Sequence, residues 1–363
     1  MRQRAPMTEP TTTSRAGGGP SQIGRYPVSR RLGAGAFASV WLGRDPEFEV
    51  DVAIKVLADN WAVDDHIRER FVSEARFLRR VRDRRVVHVY DIGTLDDGRP
   101  YFVMDYLDAG TLEDLRRSPV PPAEALRLCA EAARGLDVLH RHHLVHRDVT
   151  PGNLLLSRRP GGSLAVVVAD LGVARSVIDS SAGAMIVGTP SYMAPEQAGG
   201  GVVDHRADVY ALCAVAYALL TGAPPFPVER VADLTARPAG VGPPSLAESL
   251  GGPATLDGLF TSGLATDPHR RPPSAAILAD AFDQLAAELE GLPPRDRAAA
   301  EPPVPTYPPP VPPALPVQPL PAPPSAPPEP TRTGRSSGFY IAMTVLAILL
   351  FAVFLAIVIG LSL

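Results

Sequence analysis

The sequence predicts an α+β fold made of two lobes, and two observations predict it. Between Tyr26 and Leu107 the signals are those of β-strands, short runs rich in Val, Ile, Tyr and Phe that are separated by turn residues. After Thr111 apolar residues recur at helical spacing and helices dominate. A small strand-rich lobe followed by a larger helical lobe leaves a cleft between them, which is a natural ligand site.

The predicted elements follow in order along the chain. The strand segments are residues 26–28, 39–42, 50–57, 86–90 and 101–104. One helix interrupts them around residues 67–81, where Phe71, Ala75 and Leu78 recur at helical spacing. The later helices are residues 123–140, 206–220 and 274–290.

Composition excludes some partners. The 363-residue chain has a formal net charge of −4, so no global basic field argues for nucleic acid. Cys129 and Cys213 are its two cysteines, far apart and in apolar, helix-like surroundings. We therefore expect two buried free thiols rather than a disulfide or a metal pair, as in a reducing cytosol.

The two ends of the chain differ from the globular domain that we expect at residues 26–290. Residues 1–25 are polar and rich in Thr, Gly and Pro, which predicts a disordered tail. Of the 41 prolines, 18 fall between Pro293 and Pro330, so residues 291–338 are predicted to be an extended, semi-rigid linker. A partner domain that binds proline motifs is the alternative use of this linker.

The apolar segment 339–361 predicts a single transmembrane helix. It runs for 23 residues without a charge, and about 20 helical residues span the hydrocarbon core of a bilayer. A buried globular helix with no polar face is the alternative. Arg332 and Arg335 precede the segment, and positive charge stays on the cytoplasmic side, so we expect a cytoplasmic domain at the plasma membrane.

A glycine-rich turn lies between the first two strands. Gly33 and Gly35 allow backbone N–H groups to come close to phosphate oxygens. Ala38 stands where a third glycine would complete the usual pattern, and a strand follows instead of a helix. Taken alone, this turn would favour a plain hairpin.

Lys55 ends the run 52–55 on a strand that is otherwise apolar. A buried ammonium needs an anionic partner, and Glu74 on the following helix is the candidate. Lys55 would then bind phosphate oxygens while it is paired with Glu74. An edge lysine that reaches solvent is the alternative.

Two further segments supply oxygen ligands and a base. Asp148 and Asn153 lie five residues apart, so Asp148 can accept the proton of a substrate hydroxyl while Asn153 offers an amide oxygen to Mg²⁺. Asp170 ends a strand and is followed by a glycine at 172, and its carboxylate also suits this hard cation.

This ordered set resembles the eukaryotic-type protein kinases, and more closely the bacterial membrane-anchored Ser/Thr kinases, from about Tyr26 to Leu285. Segment 188–197 is similar to the end of an activation segment. Asp208 matches the aspartate that anchors the catalytic loop, and Arg271 matches the arginine that pairs with the position of Glu196. The resemblance implies a bilobal fold with a small antiparallel sheet and one helix in its first lobe.

The resemblance also implies the ATP site, with Mg²⁺ as its ion and Mn²⁺ as an alternative. Met104 falls at the gatekeeper position, and the backbone of Asp105 to Leu107 would bind adenine. The adenine ring would lie between apolar side chains, which could equally be ordinary core: Val40, Ala53 and Leu155.

In the activation segment the resemblance implies that Ser180 or Ser181 is an autophosphorylation site, and that Thr189 contacts Asp148 and favours Ser/Thr substrates. It further implies protein substrates. Confinement of the domain at a membrane raises its effective concentration, so we expect a homodimer and autophosphorylation in trans, with activation by a cytoplasmic partner as the alternative.

Thr150 departs from the family pattern, which has lysine there. Threonine cannot neutralise charge that develops on a transferred phosphate, so we expect slower turnover with the base and metal ligands intact. The leading hypothesis is a protein serine/threonine kinase. Its rivals are a pseudokinase scaffold, which Thr150 and Ala38 favour, and a small-molecule phosphotransferase, which segment 188–196 disfavours because it fits peptide docking.

Overall fold

The computed structural model describes residues 19–172, 190–199, 201–228, 233–234 and 240–292. They form a sheet-based N-terminal lobe and a helical C-terminal lobe, which confirms the predicted bilobal fold. Most of the predicted tail, almost all of the predicted linker and the whole apolar segment 339–361 lie outside the described residues. Within those residues, no helix combines the length and the apolar character needed to cross a membrane.

In the described part of the chain, the N-terminal lobe is built on one antiparallel sheet of six strands in the spatial order β1-β2-β3-β4-β6-β5. The strands are β1 (Gln22–Ile23), β2 (Tyr26–Ala34), β3 (Ala38–Asp45), β4 (Val50–Leu57), β5 (Val89–Thr94) and β6 (Pro100–Asp105). Four of the five predicted strand segments lie inside β2, β3, β4 and β6, so those predictions are confirmed.

The strand predicted at residues 86–90 begins only at Val89, so its first half is wrong. The backbone N–H of Val87 donates to the carbonyl oxygen of Val168 at 2.9 Å, and Val168 donates to that of Arg85 at 2.8 Å. These backbone groups therefore bind the second lobe instead of the first sheet. A run of valines cannot show which sheet it will join.

Helix α1 (Asp65–Arg80) packs its apolar face against this sheet. The side chain of Asp64 caps its first turn and accepts hydrogen bonds from the N–H groups of His66 and Ile67 at 2.9 and 3.1 Å. The buried residues of the helix are Ile67, Phe71, Glu74, Ala75 and Leu78. A carboxylate on this buried face must find a cation inside the protein.

The C-terminal lobe contains seven helices and a short antiparallel hairpin among the residues that the structure describes. The helices are α2 (Leu112–Arg116), α3 (Pro122–Arg141), α4 (Pro195–Ala198), α5 (Arg206–Thr221), α6 (Leu246–Leu250), α7 (Ala254–Gly263) and α8 (Ala275–Glu288). The hairpin is β7 (Leu154–Arg158) with β8 (Leu164–Val168).

The three predicted helices of this lobe, α3, α5 and α8, are confirmed to within two residues at each end. The sequence did not predict α2, α4, α6 and α7, because helices of four to ten residues hold too few turns for a periodic signal. Helix α5 lies at the centre of the lobe, and every residue from Ala207 to Thr221 is buried. It contacts α2, α3, α7 and α8.

Candidate functional site

The cleft between the lobes contains two adjoining hollows of about 420 and 440 Å³. The first is lined by the glycine-rich turn, at Gly33 and Gly35, and by polar residues, most of them charged: Lys55, Glu74, Asp148, Asn153 and Asp170. The second is lined by Val40, Ala53, Met104, Asp105, Leu107 and Leu155. Every predicted nucleotide, base and metal residue therefore lies on this cleft.

Lys55 sits in the middle strand β4, opposite Val40 of β3 and Phe102 of β6. Its Nζ atom lies 3.0 Å from Oε1 of Glu74 and 3.1 Å from Oδ1 of Asp170. The pairing with Glu74 that the sequence predicts is present, and Lys55 is 9% exposed rather than an edge residue. The ion pair with Asp170 was not predicted.

Burial and charge act in opposite directions on these groups. Burial acts to lower the pKa of Lys55, but the carboxylates of Asp170 and Glu74 outweigh it and hold that pKa above its usual value. Burial raises the pKa of Glu74 to about 7, against the opposing effect of Lys55. Lys55 thus stays protonated at physiological pH, while Glu74 titrates close to neutrality.

Asp148 and Asn153 are joined by a tight turn. Residues 151–153 form one 3₁₀ turn, in which the N–H of Asn153 donates to the carbonyl oxygen of Thr150 at 3.1 Å. The Nδ2 atom of Asn153 donates to the backbone oxygen of Asp148 at 2.8 Å and to its Oδ2 at 3.1 Å. Because the amide nitrogen is engaged in this way, the amide oxygen of Asn153 is the atom left for a cation.

Asp170 follows strand β8 and has a left-handed backbone, with φ of 56°. The chain then approaches the loop of Asp148 closely, and the N–H of Gly172 donates to the carbonyl oxygen of His146 at 2.9 Å. A Cβ atom at Gly172 would lie 2.9 Å from Cβ of Asp148 and 3.0 Å from that carbonyl oxygen. Glycine is therefore required there for Asp170 and Asp148 to face the same hollow.

The donor set suits a cation that enters with a phosphate-bearing ligand. Within the described ranges, no group of three or more His, Cys, Asp or Glu side chains could hold a metal ion. Asp170 and Asn153 nevertheless line both hollows. Mg²⁺ commonly takes only one or two protein oxygens and completes its shell with phosphate and water, so these two residues fit it.

Asp208 of helix α5 anchors the loop that carries Asp148, as predicted. Its carboxylate accepts hydrogen bonds from the backbone N–H groups of His146 and Arg147 at 2.7 and 2.8 Å. Arg147 has a left-handed backbone, with φ of 65°, which the two bonds stabilise. Nε2 of His140 also lies 2.8 Å from Asp208, a contact that the sequence did not predict.

The predicted pair of Arg271 and Glu196 is present and bidentate. Two guanidinium nitrogens of Arg271 lie 2.6 and 2.8 Å from the two carboxylate oxygens of Glu196. The neighbouring Gln197 was missed by the sequence analysis, although it donates to the carbonyl oxygen of Arg147 at 2.9 Å. Its Oε1 accepts from the N–H of Ala194, so Gln197 joins this segment to the catalytic loop.

The apolar walls of the second hollow come from both lobes, since Val40 and Ala53 lie on β3 and β4 while Leu155 lies on β7. The carboxylate of Asp105 accepts hydrogen bonds from the backbone N–H of His88 at 2.8 Å and from the hydroxyl of Tyr90. These two bonds hold the carboxylate, which agrees with the prediction that the backbone of Asp105, rather than its side chain, would bind adenine.

Several predictions are not tested by these contacts. Ser180, Ser181 and Thr189 lie outside the described residues.

The structure also adds a contact that the sequence analysis did not consider: Trp61 touches the tip of the glycine-rich turn through Ala36 and Phe37. A large aromatic residue in the short connection between a strand and a helix is the signal that could have found it.

Comparisons with known proteins agree with this geometry. Residues 26–282 match the family model described as protein kinase domain. The chain is 37% identical over 264 residues to serine/threonine-protein kinase PknB of Mycobacterium leprae, which covers 69% of this chain and 41% of that protein. It is 36% identical over 276 residues to serine/threonine-protein kinase PknJ of Mycobacterium tuberculosis, with coverages of 73% and 46%.

Among solved structures, the kinase domain of PknI from Mycobacterium tuberculosis is similar, with a TM-score of 0.57 and 32% identity. The alignment covers 77% of this chain and all of that one. The chain spans less than half of the length of the curated relatives that it matches.

Proposed function

The chain belongs to the protein kinase family, and we propose that it is a protein serine/threonine kinase that transfers the γ-phosphate of ATP to hydroxyls of itself and of other proteins. One observation carries the proposal: Lys55 is held between Glu74 and Asp170 at distances of 3.0 and 3.1 Å. This arrangement joins the sheet, helix α1 and the segment after β8, so the groups that phosphoryl transfer needs are assembled together.

Each charged residue then has a role. Asp148 accepts the proton of the substrate hydroxyl and orients its oxygen for in-line attack. Lys55 binds α- and β-phosphate oxygens, and Glu74 keeps it in place. Asn153 and Asp170 hold Mg²⁺, or Mn²⁺ as the alternative, and the bound ion neutralises charge on the phosphates.

The remaining contacts with ATP are made by the backbone and by apolar side chains. The N–H groups of the turn at Gly33 and Gly35 approach the phosphates, and the backbone of Asp105 to Leu107 binds the adenine edge. Met104 is the gatekeeper, and the walls around adenine are Val40, Ala53 and Leu155, which line one hollow.

The rival scaffold function rests on Thr150 and Ala38. Thr150 directly precedes the 3₁₀ turn that carries Asn153, and its side chain makes no capping hydrogen bond there and brings no positive charge. The intact contacts of Lys55, Asp148 and Asn153 favour slow transfer over none. We therefore propose an active kinase whose chemical step lacks one stabilising cation.

Domain organisation and location extend the proposal. Residues 26–290 form the kinase domain, with a disordered tail before it, and the proline-rich linker 291–338 connects it to a transmembrane helix at 339–361. The domain then lies on the cytoplasmic side of the plasma membrane, where confinement to two dimensions favours homodimers and autophosphorylation in trans. Ser180 and Ser181 are the proposed acceptor sites, and Thr189 favours Ser/Thr substrates.

The proposed activity can be tested with the full chain in mild detergent, labelled ATP and Mg²⁺. We expect transfer to the chain itself, loss of transfer in Lys55→Met and in Asp148→Asn, and unchanged transfer in Asp280→Asn. Asp280 is a matched control because it is an aspartate on helix α8 with a side chain that is 76% exposed. ATP binding without any transfer in the parent protein would instead establish the scaffold function.

The proposed anchor has its own test. A chain that lacks residues 339–363 should be less phosphorylated in cells than the full chain at equal expression, because it is no longer concentrated at a membrane. Equal phosphorylation of the two chains would contradict the proposed role of the anchor and leave the enzymatic proposal standing.

A further inference from the structure

The glycine-rich turn between β2 and β3 is a loosely packed element. The N–H of Gly35 donates to the carbonyl oxygen of Ala38 at 2.8 Å and closes the turn. A Cβ atom at Gly33 would meet nothing within 4 Å, and one at Gly35 would meet only that carbonyl oxygen, at 3.7 Å. The protein therefore leaves open space beside both glycines, and contacts from elsewhere must hold the tip of the turn.

Trp61 supplies those contacts at the tip. Its Nε1–H donates to the carbonyl oxygen of Ala36 at 2.9 Å. Its ring stacks on that of Phe37, with centroids 5.2 Å apart and an interplanar angle of 30°. The N–H of Ala58, three residues earlier, donates to the carbonyl oxygen of Phe37 at 2.9 Å. Both tip residues are thus bound by one short segment.

That segment is itself fixed to helix α1. Trp61 ends a 3₁₀ turn that begins at Asp59, and its carbonyl oxygen accepts from the N–H of Asp64 at 3.2 Å. Asp64 is the residue whose side chain caps α1, and α1 carries Glu74. The tip of the turn and the partner of Lys55 are therefore held by one continuous piece of structure.

We propose that Trp61 is a positioning residue that holds the tip of the glycine-rich turn over the phosphates of ATP, an inference that rests on the proposed kinase function. Its effect passes through Phe37 and the backbone of Ala36, and it makes no contact with nucleotide itself. The turn is ordered before ATP arrives, so less entropy is lost when its N–H groups bind phosphate oxygens. Such ordering matters more here because Thr150 supplies no charge to the γ-phosphate.

The proposal predicts that loss of Trp61 weakens the binding of the phosphates of ATP and leaves the binding of its adenine unchanged. In the full chain, Trp61→Ala should raise the Kd of a non-hydrolysable ATP analogue with Mg²⁺ about tenfold, which corresponds to the ordering of two or three groups. The Kd of adenosine, which has no phosphate, should stay unchanged. Trp61→Phe keeps the aromatic stack without the N–H donor, and it should recover part of the affinity for the analogue.

Trp41 offers a matched control. It is the other of the chain's two tryptophans, and it packs on a separate cluster of the same sheet. Trp41→Ala should leave both Kd values unchanged. Equal analogue affinity in Trp61→Ala and in the parent would overturn the proposal. So would an equal loss of analogue and adenosine affinity at an unchanged melting temperature, because that result would show a general structural role.

A spectroscopic measurement tests the same idea without catalysis. In Trp41→Phe, Trp61 is the one tryptophan left, so excitation that is selective for tryptophan reports on its packing against Phe37. Because the turn is already held before ATP binds, this emission should stay the same on saturation with the analogue and Mg²⁺, and a large shift toward that of a newly buried tryptophan would overturn the proposal. A parent protein that binds the analogue but transfers no phosphate would refute the proposed kinase activity alone, so the two failures can be told apart.

Discussion

Replacing Arg271 with alanine should strongly destabilise the C-terminal lobe. The Arg271 side chain is 0% exposed, and that of Glu196 is 12% exposed. The guanidinium binds both oxygens of Glu196, and it also donates to the carbonyl oxygens of Ala265 at 2.9 Å, Arg206 at 3.0 Å and Thr266 at 3.3 Å. Removing it leaves a carboxylate and three carbonyl groups without this partner.

The size of the effect follows from this geometry. Breaking one partner of a buried ion pair costs about 3–5 kcal/mol, because the remaining charge is left without compensation. Arg271→Lys keeps the charge but loses the planar fork that matches a carboxylate, and we expect it to cost about 2 kcal/mol. Adding Glu196→Ala to Arg271→Ala should cost little more, since the two residues act as one unit.

Urea denaturation followed by circular dichroism measures these differences as shifts of the midpoint at a common slope. Arg134→Ala is the matched control, because Arg134 pairs with Asp283 on the surface, with side chains 31% and 44% exposed. A surface pair of this kind contributes at most about 1 kcal/mol. If Arg271→Ala lost no more stability than Arg134→Ala, the assignment of Arg271 as a buried structural cation would be wrong.

Three further predictions concern charge and protonation. Thr150→Lys should raise the rate of transfer several-fold, because it restores a cation near the transferred phosphate; a lower single-turnover rate would contradict this. Transfer should fall as the pH drops below about 7, since burial raises the pKa of Glu74 to about 7 and its protonation removes one of the two negative partners of Lys55. Glu74→Gln should be slow and lack this inflection, so a pH profile like that of the parent would argue against Glu74 as its source. Burial raises the pKa of Cys129 and Cys213, so a thiol reagent should label neither in the native protein and both after unfolding; rapid native labelling would show that they are accessible.

The pair of Lys55 and Glu74 could be predicted from the sequence because burial restricts the partners of a charged side chain. Lys55 lies in an apolar strand and Glu74 on the apolar face of a helix, and each one requires the other. The contact of Lys55 with Asp170 could not be predicted in this way. It depends on the left-handed backbone of Asp170, which tertiary packing imposes and which local sequence does not encode.

Contacts between polar side chains and distant backbone atoms escaped prediction for a related reason. Gln197 binds the carbonyl oxygen of Arg147, 50 residues earlier, and Trp61 binds that of Ala36. Any exposed carbonyl group can accept such a bond, so the residue type alone selects no partner. The first half of the strand predicted at residues 86–90 was wrong for the same reason, because a run of valines fits either of two sheets and does not select one.

The complete burial of helix α5 has a consequence for how the chain is made. A helix that is buried on all sides cannot be stable alone in water, because most of its stability comes from packing. Two of the helices that cover α5, α7 and α8, lie C-terminal to it, and α8 ends at Glu288. During synthesis α5 therefore emerges from the ribosome after α2 and α3 but before α7 and α8 exist to complete its cover. The interval of synthesis between Thr221 and Glu288 is the period in which the nascent chain depends most on chaperones and is most prone to aggregate.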